Sequence, residues 1–202
     1  MKILTDLEQG SDEWLAARLG IPTASDFSKL ITSTGKKSTQ LDGYARTLAA
    51  ETLMGKPEEG FKSEWMDRGT ELEPMARAWY EFQTDIVIEE VGFVLSDDGS
   101  VGCSPDGLST GSGLELKCPK AETHIGYLCD QKLPTNYVPQ VQGCIWLCER
   151  DRWDFASFHP DMPGLLLTIP RDDAFIAMLA KLVAEVNEKK LEILHKIERM
   201  AA

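Results

Sequence analysis

The stretch SPDGLSTGSGLELKCPK, residues 104–120, decides how the rest of the 202-residue chain is read. Residues two apart on a strand share a face, so in LELKC Glu115 and Lys117 point one way while Leu114, Leu116 and Cys118 point the other. The leucines suit a core. A turn over PDG returns the chain and brings Asp106, at the end of the preceding strand, beside Glu115. Two carboxylates and one ammonium therefore converge on a hairpin that enters the interior.

Carboxylates at close range repel, and one takes up a proton unless a cation sits between them. Mg²⁺ is the natural cation: it prefers oxygen ligands, often uses only one or two carboxylates, and completes its shell with water and substrate phosphate. An ammonium beside the attacking water orients it and adds positive charge. The arrangement fits phosphodiester hydrolysis, where metal ions activate the nucleophile and stabilise the leaving oxygen. The plainer alternative is a surface hairpin in which Asp106 serves the turn and Glu115 and Lys117 are solvated.

Working outward, period-two alternation runs from 86 to 118: IVIEEVGFVL, the turn SDDG, SVGCS, the turn PDG, then GLELKC. Upstream, Ser11 caps a short helix ending at Gly20, and Thr23 with Asp26 starts another over TASDFSKLI. TSTGKKSTQ (32–40) reads as an exposed basic loop carrying Lys36 and Lys37. A helix over 41–54 places 44, 48 and 53 on one face. Another over 68–82 opens on a capping box of Thr70 and Glu73, holds Pro74 in its first turn, and turns Met75, Trp79 and Phe82 inward.

Downstream, 121–132 and 139–149 read as helices, the second opened by Pro139, followed by the strands RWDFASF and LLLTI. Residues 171–198 form the longest amphipathic helix, with Phe175, Leu179, Leu182, Val186, Leu191 and Leu194 on its apolar side. The expected fold is α/β (α+β): one domain, 1–202, with a central mixed β-sheet flanked by helices.

Composition narrows the class. A hydrophobic content of 43% with 27% charged residues marks a globular protein able to bury a core. The N-terminus lacks a signal-length apolar run and no stretch is long enough to span a membrane, so a cytoplasmic protein without membrane partners is expected. The five cysteines (103, 118, 129, 144, 148) include no CxxC pair, and Cys144 with Cys148 reads as helix packing or a shared chemical face. The three histidines form no metal or triad pattern. A net charge of −12 counts against nucleic acid as a partner unless a bound metal and clustered basic residues set the sign inside one channel.

P-D, a short gap and E-x-K resemble the PD-(D/E)xK nuclease superfamily, with its restriction-endonuclease-like core. WLAARLGIPTAS (14–25), RGTELEPMA (68–76), SPDG (104–107), LELKCP (114–119) and YVPQVQ (137–142) also occur in the order seen in the phage lambda exonuclease family. That resemblance, covering residues 14 to about 160, implies a Mg²⁺-dependent nuclease that uses two ions, with Mn²⁺ able to substitute. It degrades one strand of duplex DNA from its 5′ end, releases mononucleotides and leaves a 3′ overhang for recombination.

By the same resemblance, Asp106 and Glu115 are metal ligands, Lys117 activates the attacking water, the Leu116 carbonyl joins the metal shell, and Glu73 serves the second ion or its water. The capping-box reading of Glu73 is equally consistent with the sequence. Arg18 and Ser25 would hold a terminal 5′ phosphate, and Ser104 and Gln140 would contact phosphate near the cut. Read alone, Arg18 is a helix surface charge and Ser25 merely polar, whereas Gln140 follows Pro139 at a helix N-terminus that favours phosphate.

Met66 is a candidate wedge between the strands of the terminal base pair, or a core residue. The family further implies double-stranded DNA ends as substrate, a homotrimeric ring threaded by DNA, a single-strand-annealing partner and a bacterial host cytoplasm. An endonuclease on the same core and a non-catalytic recombination scaffold are the competing expectations.

Overall fold

The structure, a computed structural model, describes residues 1–57 and 64–201, without the side chains of residues 64–70. Four strands carry the central hairpin. Strand β4 (Gly107–Leu108) pairs antiparallel with β5 (Gly113–Lys117), which pairs in parallel with β6 (Arg152–Ser157), which pairs antiparallel with β7 (Leu165–Pro170). The parallel pair requires a crossover, supplied by helices α4 (Ala121–Asp130) and α5 (Val138–Leu147). A second, antiparallel sheet joins β1 (Lys2–Leu4), β2 (Phe93–Leu95) and β3 (Gly102–Cys103). With helices α1 (Asp12–Arg18), α2 (Leu41–Met54), α3 (Glu64–Thr84) and α6 (Asp173–Ala201) around the sheets, this is the expected mixed-sheet α/β class.

Two apolar clusters divide the interior. The larger packs α2, α5 and the first half of α6 around Phe27, Leu48, Ile145, Trp153 and Leu179. The smaller lies between α3 and the central sheet, from Ala76 and Tyr80 to Leu114, Leu116 and Ala156. Leu114 and Leu116 thus enter the core as alternation requires, and Cys118 is partly buried against it. On α4, the buried His124 ring bonds Ser157 Oγ at 2.7 Å and the Pro163 carbonyl at 2.9 Å, tying the helix to the end of β6. Among the described residues no helix is long and apolar enough to cross a membrane.

Several expectations are corrected. The reversal before β5 occurs at Ser109–Ser112, where Ser109 N–H donates to the Ser112 carbonyl at 2.9 Å, and PDG only enters β4. The run 86–95 is not one strand: strand pairing starts at Phe93, with an isolated bridge between Glu89 and Leu108. The three-residue β1 was too short to leave a periodic signal. Helix α3 is already formed at Glu64 and passes through Thr70 and Glu73, so Glu73 is not a capping residue and Pro74 is interior, where it removes one helical hydrogen bond.

The inward stripe of α3 is Ala76 and Tyr80 with Trp79 partly buried, whereas Met75 is 53% exposed and Phe82 is 85% exposed. Side-chain size misled the reading. The packed register places the small Ala76 and the hydroxyl-bearing Tyr80 inside, where Tyr80 donates to Asp154 Oδ2 at 2.7 Å. Leu53, at the end of α2, and Leu191, in the second half of α6, are likewise exposed.

Candidate active site

The antiparallel register sets Gly107 opposite Leu114 and Leu108 opposite Gly113. Glycines are needed here because an added Cβ at Gly107 would run into Ile88 and one at Gly113 into the Trp153 ring. The preceding residue, Asp106, is drawn against the next strand from both ends. Its N–H donates to the Leu114 carbonyl at 3.2 Å, and its Oδ2 accepts from the Leu116 N–H at 2.6 Å. Asp106 and Glu115 therefore lie together, as the hairpin reading expected, although the turn is elsewhere.

Glu115 is 1% exposed. Its Oε1 accepts from Gln140 Nε2 at 2.7 Å and pairs with the Lys117 ammonium, while Oε2 is buried with no partner. Gln140 comes from the first turn of α5, and Lys117 Nζ also lies 5.2 Å from the Tyr137 ring centroid. The solvated-hairpin alternative fails on this burial.

Two carboxyls, Glu115 buried and Asp106 half-buried, act on one ammonium. Burial pushes the Glu115 pKa up to about 7, opposed by Lys117 and reinforced by Asp106. Burial likewise raises Asp106, against the pull of Lys117 and Arg77. Burial alone would lower Lys117, but the Glu115 and Asp106 charges outweigh it and hold the ammonium well above its ordinary value.

Glu73 reaches the same place from α3. Burial and the Asp106 charge raise its pKa, while Arg77 and Lys117 lower it. Glu73, Arg77, Glu90 and Asp106 line an open cleft of about 340 Å³ together with Gln9, Val91 and Gly92. Gln9 Nε2 donates to the carbonyls of Val91 and Pro105 at 3.0 and 2.9 Å, bracing the segment that delivers Asp106.

The donor set fits a hard divalent cation: carboxylate oxygens, a lone pair of Glu115 Oε2 left unused, and an excess of negative charge in a buried place. Among the described residues no group of three or more His, Cys, Asp or Glu side chains is arranged to hold a metal unaided. One or two carboxylates completed by water and phosphate is the ligation Mg²⁺ ordinarily takes.

The phosphate candidates form a second group joined to the first. Arg18 NH2 donates to Ser25 Oγ at 3.2 Å and Thr23 Oγ1 at 3.3 Å, and its guanidinium stacks 3.9 Å from the Trp14 ring centroid. Ser25 is exposed. The Trp14 indole N–H donates to Ser104 Oγ at 2.9 Å and to the Gly92 carbonyl at 3.1 Å. Trp14 thus links the Arg18–Ser25 pair to Ser104, two residues before Asp106.

The sequence reading did not single out Trp14, Arg77, Gln9 or Tyr137. Trp14 to Arg18 and Glu73 to Arg77 are both i,i+4 helix pairs and could have been found by that spacing. Gln9 and Tyr137 left no such signal. The Met66 side chain lies outside the described residues.

Known proteins share this framework. The chain is 32% identical to an alkaline exonuclease (LHK-Exo) from Laribacter hongkongensis, with a TM-score of 0.86 over 95% of this chain and 98% of that one. The same exonuclease in complex with dAMP superposes with a TM-score of 0.85. A phage-related exonuclease from Haemophilus somnus 129PT shares the fold at 16% identity and a TM-score of 0.70, over 88% of this chain and 96% of its own. A protein of Escherichia coli (strain K12) named as putative uncharacterized protein ExoD is 33% identical over 70 residues, 33% of this chain and 80% of its own. Residues 13–151, which run from α1 through the charged hairpin to the end of α5, match the YqaJ-like viral recombinase domain, and to that family the chain belongs.

Proposed function

We propose that the chain is a divalent-metal-dependent 5′-to-3′ exonuclease on double-stranded DNA, releasing mononucleotides and leaving 3′ overhangs. The observation that carries this reading is Glu115: a carboxylate 1% exposed, fixed through one oxygen by Gln140 and Lys117, with its other oxygen buried and unpartnered beside Asp106. Such a group is costly to bury unless a cation or substrate completes it. Family membership and the dAMP complex of the Laribacter hongkongensis relative support DNA as substrate and a mononucleotide as product.

Asp106, Glu115, Glu73 and the Leu116 carbonyl would hold two ions, Mg²⁺ or Mn²⁺. When bound, the ions supply Lewis-acid polarisation of the phosphate and lower the pKa of the attacking water. Lys117, kept protonated by its carboxylate neighbours, acts as a fixed positive charge that orients the water and balances charge building on the phosphate. Gln140 holds Glu115 in its rotamer and offers an amide to the scissile phosphate. Ser104, fixed by Trp14, contacts phosphate near the cut, while Arg18 and Ser25 take the terminal 5′ phosphate by a fork and a hydroxyl. A site for the end, joined to the site of cleavage through one tryptophan, favours an end-dependent nuclease.

A homotrimeric ring threaded by DNA and a single-strand-annealing partner complete the proposal. A closed channel would reconcile the acid excess of the chain with DNA if basic groups such as Lys36 and Lys37, the latter paired with Glu185, faced DNA and the remaining charge faced solvent.

Linear duplex labelled at either 5′ or 3′ end, incubated with and without Mg²⁺ beside a closed circular control, tests the activity. Mg²⁺-dependent loss of 5′ label as mononucleotide with the circle intact is expected. Early loss of 3′ label contradicts the polarity, nicking of the circle makes the protein an endonuclease, and no cleavage at all leaves a scaffold.

A further inference from the structure

Arg77 sits on α3 one turn beyond Glu73. Its guanidinium engages three chain segments at once. NH2 donates to Glu73 Oε1 at 3.2 Å and to the backbone carbonyl of Asp106 at 3.3 Å, while NH1 pairs with Glu90 Oε1 at 2.6 Å. The arginine side chain is only 14% exposed, against 71% for Glu90. The contacts to Glu73 and Asp106 therefore lie toward the protein, and the Glu90 contact lies toward solvent.

A glutamate on a helix flank is ordinarily free to sample its rotamers, and ordering such a side chain costs conformational entropy. Glu73 also faces the Asp106 charge, which repels it. Something must hold it there. A planar fork that grips the Glu73 carboxylate and the Asp106 main chain with one nitrogen does so, and its positive charge offsets the repulsion.

We propose that Arg77 is a positioning residue: its guanidinium holds the Glu73 carboxylate beside Asp106, so that the helix-borne oxygen donor is in place before a divalent cation arrives. This rests on the reading of Asp106, Glu115 and Glu73 as metal ligands. A lysine at this position keeps the charge but cannot span the same acceptors.

The test titrates Mn²⁺ into DNA-free protein by calorimetry, comparing wild type with Arg77→Met, Arg77→Lys, Glu73→Gln, Glu73→Gln/Arg77→Met and Asp106→Asn. Arg77→Met should weaken the Mn²⁺ binding to which Glu73 contributes about tenfold, as loss of an outer-shell partner commonly does, with Arg77→Lys between it and wild type. Because Arg77 acts through Glu73, the double variant should bind no more weakly than Glu73→Gln alone. In nuclease assays Arg77→Met should raise the Mg²⁺ concentration for half-maximal rate more than it lowers the rate at saturating Mg²⁺.

Wild-type Mn²⁺ binding by Arg77→Met, or losses that add in the double variant, overturns the proposal. If circular dichroism shows Arg77→Met unfolded, Arg77→Lys and Glu73→Gln/Arg77→Lys decide it in the same way. Wild-type binding by Asp106→Asn overturns the metal-ligand reading itself, whereas loss of binding in Asp106→Asn with none in Arg77→Met overturns only the role of Arg77.

Discussion

Glu115 is the side chain on which the proposed chemistry turns. Its folded pKa, about 7, lies above its ordinary value of 4.5, so the folded protein binds this proton more tightly than the unfolded chain does. Stability from this group is fully present below pH 4.5 and is lost as pH rises through 7, because burial outweighs the ion pair with Lys117. Thermal denaturation in a chelator should therefore show a midpoint falling across that window, and Glu115→Gln should flatten it. An unchanged slope in the variant would place the titration elsewhere. Arg18→Ala should reduce the preference for 5′-phosphorylated over 5′-hydroxyl duplex about tenfold, consistent with loss of a charge-assisted hydrogen bond, as read by initial rates on the two substrates. At this scale the sequence was most informative where chemistry is written in residue types: P-D with E-x-K named three of the charged groups that meet. Arg77 and Trp14 escaped because an arginine or tryptophan on a helix flank has many structural uses, and only the tertiary neighbours reveal which applies.

The hairpin β4–β5 is the element that makes the site, and its precision comes from close backbone approach. Gly113 lies where Trp153 fills the space a side chain would take. Gly113→Ala should cost about 1–3 kcal/mol by overpacking a buried aromatic ring, measured by chemical denaturation, and should lower activity with it. A neutral effect would mean that β5 and β6 can separate without harm. Periodicity found the helices 41–54 and 121–132 and both strands after 150 because each is regular over several residues. It failed at the start of α3, where Thr70, Glu73 and Pro74 imitate a first turn, and at β1 and the 86–92 run, where three residues or one bridge make the pairing. Short strands are set by their partners, and a partner distant in sequence leaves no local pattern.

For the whole molecule, the net charge of −12 must be reconciled with a polyanionic substrate. A trimeric ring would do so by segregating charge, and it is expected in light scattering as three times the mass of one 22.5 kDa chain. A monomer at working concentration contradicts the ring. Charge balance also bears on the role proposed for Lys117, whose ammonium pairs with the buried Glu115 and feels the Asp106 charge. The most direct measurement of the central claim is mononucleotide release from linear duplex by Lys117→Met in saturating Mg²⁺, with DNA-end affinity measured alongside. Release slowed by about a hundredfold or more with end binding nearly retained is expected, the signature of a group that acts in the transition state. Release at the wild-type rate would contradict it, and the buried carboxylates of the hairpin would then have no catalytic partner in this lysine.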